Sequence, residues 1–487
     1  MSPSDAPVTA RHQHPLAILR YTGRYLIFLL LPLIRGLRYA IAEKGVAAWL
    51  RGGWLDLAAL SALVLLPLLR WARMTYRFTP DGFVLTGGLL WRHQTYLTKR
   101  AITTLSVEET PLYRLCGAVR LEADSDTLTG KRTDVSLILY RRDAEKILAA
   151  RTGRDAPGKA VCGSWRAALA LALFSADTLG GVLLLAAAFR RAGRLLGDAF
   201  RERLLGNLEE AVAAVTVLPR SVALLSLILL AGWLAGVIRT VVRFSPFSAI
   251  RTPRVLSLTG GLWTRRENIC TVGAVDAVDE RRGLLGEALG QRMLFFSCVG
   301  YGKRTMPVLI PAADKRQSTD LLTRLLPEFS SAPAQIRPVR GAVLWRLSAP
   351  LGIALGIGAA ALWLDGRFPV WAPFVQLAAW VALPPLLWWL AVIFIDARTA
   401  GLAYANGCYT LRFSRRLPLH TVILPRHALL AVRLRRAPFA RSNTCTAYFY
   451  PHGDRRICYR LRAMPADAIR TLTETERKSG NGNSTTG

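Results

Sequence analysis

Leu85-Thr86-Gly87-Gly88-Leu89 recurs as Leu258-Thr259-Gly260-Gly261-Leu262, and each copy opens a basic, strand-rich stretch that directly follows a hydrophobic segment. The similarity continues past the pentapeptide, because the same chain offset places Leu105 on Val278 and keeps other apolar positions in line. A third, more diverged copy begins near Gly401. Internal repeats constrain the fold more strongly than any single segment does, so the sequence predicts three related modules.

Each module ends in the same way, with a strand that leads into a helix. The three endings are Val135–Tyr140 then Asp143–Ala150, Met306–Ile310 then Ala312–Leu326, and Ile457–Leu461 then Pro465–Thr473. Earlier in the first module, alternating apolar residues are separated by turns at Pro80-Asp81-Gly82 and Gly87-Gly88, which is typical of antiparallel hairpins. The pattern predicts small antiparallel β-structures, each closed by a C-terminal helix.

Composition and charge limit the class of protein. Of 487 residues, 52% are hydrophobic, yet the formal net charge is +32, a combination that suits membrane spans joined to basic domains. A basic face gains roughly 1 kcal/mol per Lys or Arg near anionic lipid head groups. Nucleic acid would attract the same charges, and a third interpretation is that basic residues beside the spans only fix the topology.

Six hydrophobic segments form three pairs, and the last four approach or exceed the roughly 20 residues that span a hydrocarbon core. The segments are Leu16–Ile34, Leu55–Leu69, Ala167–Phe189, Ser221–Val242, Val343–Leu364 and Phe374–Ile395. Arg20 and Arg24 interrupt the first segment, so the first pair either spans with snorkelling ends or lies partly in the interface. The pairing predicts three membrane hairpins that return every module to one side.

Lys and Arg collect on the module side of the predicted spans, for example at Arg70, Arg73, Arg239 and Arg398. The positive-inside rule then predicts modules that face the cytoplasm from the bacterial inner membrane. The loop at residues 190–220 is also rich in arginine and favours the opposite side. We expect the repeat to decide the orientation, and we expect no removable signal peptide.

One predicted span contains an acid. Asp177 lies near the centre of Ala167–Phe189, where an ionised carboxylate is costly and a functional or paired role is the first hypothesis. Asp177 would then relay protons or pair with an arginine of another helix. The alternative interpretation is that Ser175-Ala176-Asp177-Thr178 marks a break in the helix, or that the acid is protonated and hydrogen-bonded between helices.

The order of motifs in the first module resembles a known family. Asp81-Gly82, Gly87-Gly88-Leu89, the run from Leu97 to Ile102, and Pro111-Leu112-Tyr113-Arg114-Leu115 follow a hydrophobic pair and precede a final helix. This order is similar to the bacterial pleckstrin-homology-like (PH) domain of membrane proteins of the YdbS/YdbT type. The resemblance implies membrane-anchored modules without catalytic residues, with envelope stress or toxin resistance as a context.

Three tandem copies of such a domain would cover nearly the whole chain, although the third departs from the pattern. Asn406-Gly407 replaces the earlier turn, and Arg412-Phe413-Ser414-Arg415-Arg416 stands where the double glycine would be. The expected class is therefore a multi-pass α-helical membrane protein with three small α+β modules, each a PH-like antiparallel β-barrel or sandwich plus a C-terminal helix. The predicted domains are 1–74 (tail and first membrane hairpin), 75–153 (module 1), 164–243 (second hairpin), 244–328 (module 2), 341–397 (third hairpin), 398–476 (module 3) and 477–487 (disordered tail).

No motif of an enzyme or of a metal or cofactor site is present in the sequence. The six histidines form no HExxH pattern, the glycine pairs are not phosphate-binding loops, and there is no GxSxG or CxxC. We therefore predict a protein that is not an enzyme and that has no catalytic, cofactor-binding or metal-binding residues.

Three functional hypotheses follow. The first is a membrane scaffold whose modules bind anionic lipid, a smaller PH-like membrane partner or each other, with basic contact candidates Lys99, Arg100, Arg265, Arg266, Arg415 and Arg416. The second is a transporter or channel that uses Asp177. The third is nucleic-acid binding, which we do not expect because few aromatic residues are interleaved with the basic ones.

Overall fold

Twenty strands, and helices that contain a similar number of residues, make up most of the described part of the chain. The computed structural model describes residues 10–23, 54–79, 81–88, 91–125, 135–152, 159–175, 220–283, 287, 290–298, 308–367, 386–387, 389–415, 418–436, 443–452 and 458–473. The strands are β1 Arg11–His12, β2 Thr75–Thr79, β3 Gly82–Gly87, β4 His93–Thr98, β5 Ile102–Glu109, β6 Ala118–Ser125, β7 Val135–Tyr140, β8 Lys159–Gly163, β9 Phe247–Arg251, β10 Val255–Gly260, β11 Arg265–Thr271, β12 Val275–Arg282, β13 Gln291–Cys298, β14 Val308–Asp314, β15 Gly401–Ala405, β16 Cys408–Ser414, β17 Leu419–Pro425, β18 Leu429–Arg435, β19 Thr444–Pro451 and β20 Tyr459–Pro465.

Helices precede, cap or connect these strands. They are α1 Leu16–Gly23, α2 Trp54–Arg73, α3 Pro111–Leu115, α4 Arg141–Thr152, α5 Trp165–Ser175, α6 Arg220–Phe244, α7 Lys315–Leu325 and α8 Arg340–Arg367. Residues 389–399 and 466–473 are also helical. The short α3 has a well-defined start, because the Thr110 hydroxyl accepts a hydrogen bond from the Tyr113 amide at 3.4 Å and proline occupies the first turn.

The strands form three units with the same strand order. Each unit has a first meander of three strands and a second meander of three strands: β2–β3–β4 and β5–β6–β7 in unit 1, β9–β10–β11 and β12–β13–β14 in unit 2, and β15–β16–β17 and β18–β19–β20 in unit 3. A short upstream segment extends the first meander of each unit, since β1 pairs with β2, β8 pairs with β9, and Ile336 bridges to Leu402. The helical segments between each upstream segment and its meander are therefore insertions within a unit.

Neighbouring units share their sheets. The second meander of unit 1 continues into the first meander of unit 2 through the pair β5–β11, and this first junction completes a seven-stranded sheet. The second meander of unit 2 continues into unit 3 through the pair β12–β17, and this second junction completes a six-stranded sheet. Two of the sheets therefore contain strands from two neighbouring units each.

The two junctions have the same register. Leu105 of β5 lies opposite Ile269 of β11, and Val278 of β12 lies opposite Ile423 of β17. The sequence offsets that relate the units place Leu105 on Val278 and Ile269 on Ile423. All four side chains are buried, so each junction is centred on one apolar cross-strand pair.

The hydrophobic cores also cross the unit boundaries. Val255 and Ile269 of unit 2 belong to the core of unit 1, and Cys408 and Ile423 of unit 3 belong to the core of unit 2. Ala277 of unit 2 belongs in turn to the core of unit 3. Separating two units would therefore expose apolar surface as well as an unpaired strand edge.

The predicted class, a multi-pass α-helical membrane protein, is wrong. The structure is mixed α/β with several antiparallel sheets. Within the described ranges, only the helical segment Arg340–Leu364 is long and apolar enough to cross a membrane, by length and composition. The sequence-based class rested on six apolar segments, and apolar composition does not distinguish a helix covered by lipid from one covered by protein.

The helix α5 illustrates this difference. It begins the predicted span Ala167–Phe189, yet Ala168, Leu171 and Ala172 are buried within the protein. Leu171 packs with Met293, Phe295 and Val308 of the sheet of unit 2, so this helical face is already covered. The remainder of that predicted span, including Asp177, lies outside the described residues, and the transporter hypothesis gains no support from the structure.

Candidate binding surface

Two double-glycine turns occupy equivalent positions in units 1 and 2. Gly88 follows β3 with φ +123°, and Gly261 follows β10 with φ +104°. A Cβ atom at Gly88 would overlap the carbonyl oxygen of Trp91, and one at Gly261 would overlap that of Thr264. Both the backbone angle and the close carbonyl require glycine, so the recurrent pentapeptide encodes a tight turn between two strands.

The loops that follow these glycines present large apolar side chains to the solvent. We name two groups of residues the tryptophan loops: Gly88, Trp91 and Arg92 in unit 1, and residues 261–265 in unit 2. Trp91 is 85% exposed, Trp263 is 70% exposed and Leu262 is 65% exposed. Exposed apolar groups of this size mark interaction sites when they are clustered, and here the same exposure occurs at two equivalent turns.

The strand end that leads into each tryptophan loop lies close to the C-terminal end of the preceding apolar helix. The Leu262 amide donates a hydrogen bond to the Val242 carbonyl of α6 at 2.9 Å. A Cβ atom at Gly87 would lie 3.6 Å from Cγ of Met74, the residue after α2. These helices also carry exposed apolar side chains within two turns of those ends, such as Leu69 and Ile238. Exposed apolar side chains therefore occur both near the helix ends and on the loops that follow.

Arginine flanks the exposed tryptophans in both loops. Arg92 comes directly after Trp91, and Arg265 comes two residues after Trp263. Both arginines are exposed. The Arg243 guanidinium, at the end of α6, lies 5.5 Å from the centre of the Phe244 ring. Aromatic rings beside basic side chains are typical of the water–bilayer interface, so the loops have the composition of an interfacial contact.

Unit 3 differs at the equivalent turn. Arg415 follows β16 there, is exposed, and donates its backbone amide to the Pro418 carbonyl at 3.2 Å. No tryptophan occurs in the sequence between Ser414 and Leu419, and Arg416 lies outside the described residues. Unit 3 thus presents positive charge without the aromatic ring.

The structure does not gather the predicted contact residues into one site. Lys99 and Arg100 are exposed in the turn that follows β4, at the end of that strand away from Trp91. Arg265 and Arg266 begin β11 in unit 2, and Arg415 lies in unit 3. Charge alone points to arginines and lysines in three different units. Trp91 and Trp263, which lie close to the double glycines, are the residues in the sequence that point to the turns instead.

Two of the predicted contacts belong to the first junction. The Arg266 guanidinium forms an ion pair with the Glu108 carboxylate at 2.7 Å. Arg265 lies opposite Glu109 and lines a small cleft of about 90 Å³ together with Arg141, Glu145 and Glu267. The charges in this cleft are mixed and its volume suits a few water molecules, so it is unsuited to a large anionic ligand.

Replacing Arg266 by alanine is expected to lower the stability of the first junction by less than about 1 kcal/mol, since both partners of its ion pair keep contact with water. Thermal unfolding of the full chain at low and high salt would measure this, and the loss should shrink at high salt. A large, salt-independent loss would show instead that this pair is a main determinant of the junction.

The second junction contains a buried polar cluster that the sequence analysis did not identify. Asp279 of β12 is 2% exposed, and both of its carboxylate oxygens lie 3.1 Å from Nδ1 of His420 on β17. Arg281 donates to the same carboxylate at 2.6 Å, and Phe413 stacks on the His420 ring. No local motif joins Asp279 to His420, because they are 141 positions apart in the chain.

Opposing effects act on the pKa of Asp279. Burial alone would raise the pKa of this carboxyl, but the hydrogen bond and charge of His420, together with Arg281, hold the pKa below its ordinary range. Asp279 is therefore an ionised carboxylate held between two donors. The described residues contain no group of three or more His, Cys, Asp or Glu side chains that could hold a metal ion, and we assign the cluster to the stability of the junction.

Each unit joins two three-stranded antiparallel meanders and ends in a helix. Residues 17–151, which contain β2 to β7 and most of α4, match the family model for the bacterial PH domain. The predicted resemblance is therefore confirmed for this stretch. The YdbS/YdbT type and the assignment of units 2 and 3 to the same family remain predictions. Searches of curated proteins and of solved structures found no match.

Proposed function

We propose that this chain is a non-enzymatic protein that binds the surface of an anionic lipid bilayer through its tryptophan loops. The observation that carries the proposal is the repeated exposure of Trp91 and Trp263 at equivalent turns of two units, with the exposed Arg92 next to Trp91. A PH domain suggests a module that binds lipid or protein, and the composition of the loops favours lipid. The proposal extends the PH assignment from residues 17–151 to units 2 and 3, on their common strand order.

Two forces add in this arrangement. A tryptophan ring gains from partial burial at the interface, where its indole N–H still reaches polar partners. Each arginine near anionic head groups adds roughly 1 kcal/mol. Binding through both forces should increase with the fraction of anionic lipid and decrease with salt, because the charge contribution is screened.

The proposal places the units at the cytoplasmic face of the bacterial inner membrane. The formal net charge of +32 suits the anionic inner leaflet. The helical segment Arg340–Leu364 is one candidate for an anchor. With an anchor of this kind, the loops would need only weak individual affinities, since the chain would already be held near the surface.

Replacing both Trp91 and Trp263 by serine is expected to weaken binding to anionic vesicles by roughly 10-fold or more, from the loss of two apolar side chains at the interface. Flotation of the full chain with phosphatidylcholine vesicles, with and without phosphatidylglycerol, measures the effect. The double variant and its control are compared on the same vesicles, so that insertion of the apolar helix Arg340–Leu364, which both variants keep, contributes equally to each.

Leu430→Ser is the matched control, because it removes an exposed apolar side chain on β18 outside the tryptophan loops. We expect the control to bind like the unmodified chain. Equal binding of the double variant and the control, or equal binding of the unmodified chain to neutral and anionic vesicles, would contradict the proposal and favour a protein partner.

A further inference from the structure

The strand β18 is the counterpart, in unit 3, of the two strands that form the junctions. By the sequence offsets, Ile102–Glu109 of β5 corresponds to the whole of β12 and to β18. The strands β5 and β12 are each paired on both sides. In the part of the chain that the structure describes, β18 pairs with β19 alone, so one edge of β18 is open.

The side chains of β18 reflect this open edge. Val432 occupies the position of Leu105 and Val278, the buried centres of the two junctions, yet it is only half-buried. Leu430 is 59% exposed. An edge strand with exposed apolar side chains offers its free N–H and C=O groups to another strand, and the two internal junctions show how this fold accepts one.

We propose that the open edge of β18 binds an extended segment of a partner protein in antiparallel register, with an apolar residue opposite Val432 and acidic residues opposite Arg433 and Arg435. The register is that of the two internal junctions, which share it residue for residue. The expected partner is thus defined by three side-chain positions on one strand. This mode of recognition uses backbone hydrogen bonds for affinity and side chains for specificity.

Charge supports an acidic partner. Arg433 lies opposite Tyr448 of β19, which lies opposite Arg460 of β20, and the Arg460 guanidinium is 5.5 Å from the Tyr448 ring centre. Arg435 is exposed on the same edge strand. Among the described residues no ion pair joins Arg433 or Arg435 to a carboxylate, so acids of an added strand would meet uncompensated charge.

Charged residues on edge strands often serve to prevent pairing, but in this chain the corresponding positions are paired. Glu108 of β5 and Arg281 of β12 occupy the position of Arg435, and each belongs to a junction. Glu108 forms its ion pair across the first junction with Arg266. Charge at this position is therefore compatible with pairing, and at Glu108 it forms an ion pair with the neighbouring strand.

The strand β4 of a second copy of this chain does not match the charges of the edge. The remaining open counterpart of β11 and β17 is β4, which pairs with β3 alone among the described strands. In the junction register, β4 of a second copy would place His93 opposite Arg435 and Thr95 opposite Arg433, with Arg92 beyond His93. No carboxylate would meet an arginine, so we assign the edge to a different protein.

The test uses the full chain and two synthetic peptides based on β11, with serine in place of its cysteine. The acidic peptide is Glu-Glu-Glu-Asp-Ile-Ser-Thr, which places isoleucine opposite Val432, and the control is Arg-Arg-Glu-Asn-Ile-Ser-Thr. Hydrogen exchange of residues 429–435 is measured with each peptide. We expect the acidic peptide to protect this segment at a concentration about tenfold lower than the control, because the peptides differ in charge at the three positions opposite Arg433, Arg435 and Arg436.

The double substitution Arg433→Glu/Arg435→Glu changes two exposed side chains and should reverse the preference between the peptides. Equal protection by both peptides, or no protection by either, would overturn the proposal. The proposal would also be overturned if, without any peptide, protection of residues 429–435 increased with the protein concentration. The open edge of β18 would then be paired with a second copy of the chain. The lipid proposal is measured separately with vesicles, so either result leaves the other intact.

Discussion

Replacing Asp279 by asparagine is expected to destabilise the second junction by about 2 kcal/mol, because the substitution removes the charge of a buried carboxylate that accepts hydrogen bonds from His420 and Arg281. Asp279 is 2% exposed and is held by His420 at 3.1 Å and by Arg281 at 2.6 Å. Asparagine has nearly the same volume, so little of the loss would come from packing. Thermal unfolding and limited proteolysis between units 2 and 3 would measure it.

Acidification should reproduce part of this loss. The pKa of Asp279 is lowered in the folded chain, so its stabilising effect is present above the unfolded value of about 3.9 and is lost as the pH falls through the folded pKa. Stability of the unmodified chain should therefore decline at acid pH more steeply than that of Asp279→Asn. Parallel pH profiles of the two chains would contradict an ionised Asp279.

Asp320→Asn is the matched control for this experiment. Asp320 forms an ion pair with Arg324 at 2.9 Å, but both side chains are more than half exposed on α7. The same chemical change should cost only about 0.3 to 0.5 kcal/mol at this position. If both substitutions cost equally little, the junction does not depend on the buried pair.

Replacing Gly261 by alanine is expected to cost about 3 kcal/mol and to displace the tryptophan loop of unit 2. Its φ of +104° is strained for any residue with a side chain, and the new methyl group would overlap the Thr264 carbonyl oxygen. The loop would also lose its close fit to the end of α6, where Leu262 bonds to Val242. Thermal unfolding and the vesicle flotation described above should both report the change.

Gly273→Ala provides the control, since Gly273 has an ordinary backbone angle and its Cβ would meet no atom within 4 Å. This variant should keep both its stability and its vesicle binding. If Gly261→Ala behaves in the same way, the recurrent double glycine is not required for the turn, and the link between the turn and the tryptophan loop is broken.

Local structure was predictable where the pattern is local. The strand Val135–Tyr140 and the helix after it are confirmed, because alternation and the following polar helix lie within one short stretch. In unit 3, the predicted helix from Pro465 is confirmed at 466–473. The turns predicted at the recurrent glycines are also confirmed. Gly88 and Gly261 have positive φ values, which glycine adopts more readily than other residues do.

Long-range arrangement was not predictable in the same way. The pairing of β5 with β11 joins residues more than 150 positions apart, and alternation in either strand is the same whether its neighbour belongs to its own unit or to the next. Met293 and Phe295 cover the apolar face of α5. Hydropathy does not distinguish a helix covered by protein in this way from one covered by lipid. The tryptophans were visible in the sequence, but their exposure depends on the turn geometry that only the structure gives.

The shared sheets impose an order on synthesis. The ribosome makes β5 about 155 residues before β11, which at 5–20 residues per second is a delay of roughly 8 to 30 s. During that interval the edge of β5 that later pairs with β11 has no partner strand. The edge of β12 is likewise unpaired until β17 has been made. Translation speed between the units, and any chaperone that shields a nascent strand edge, should therefore govern the yield of folded protein.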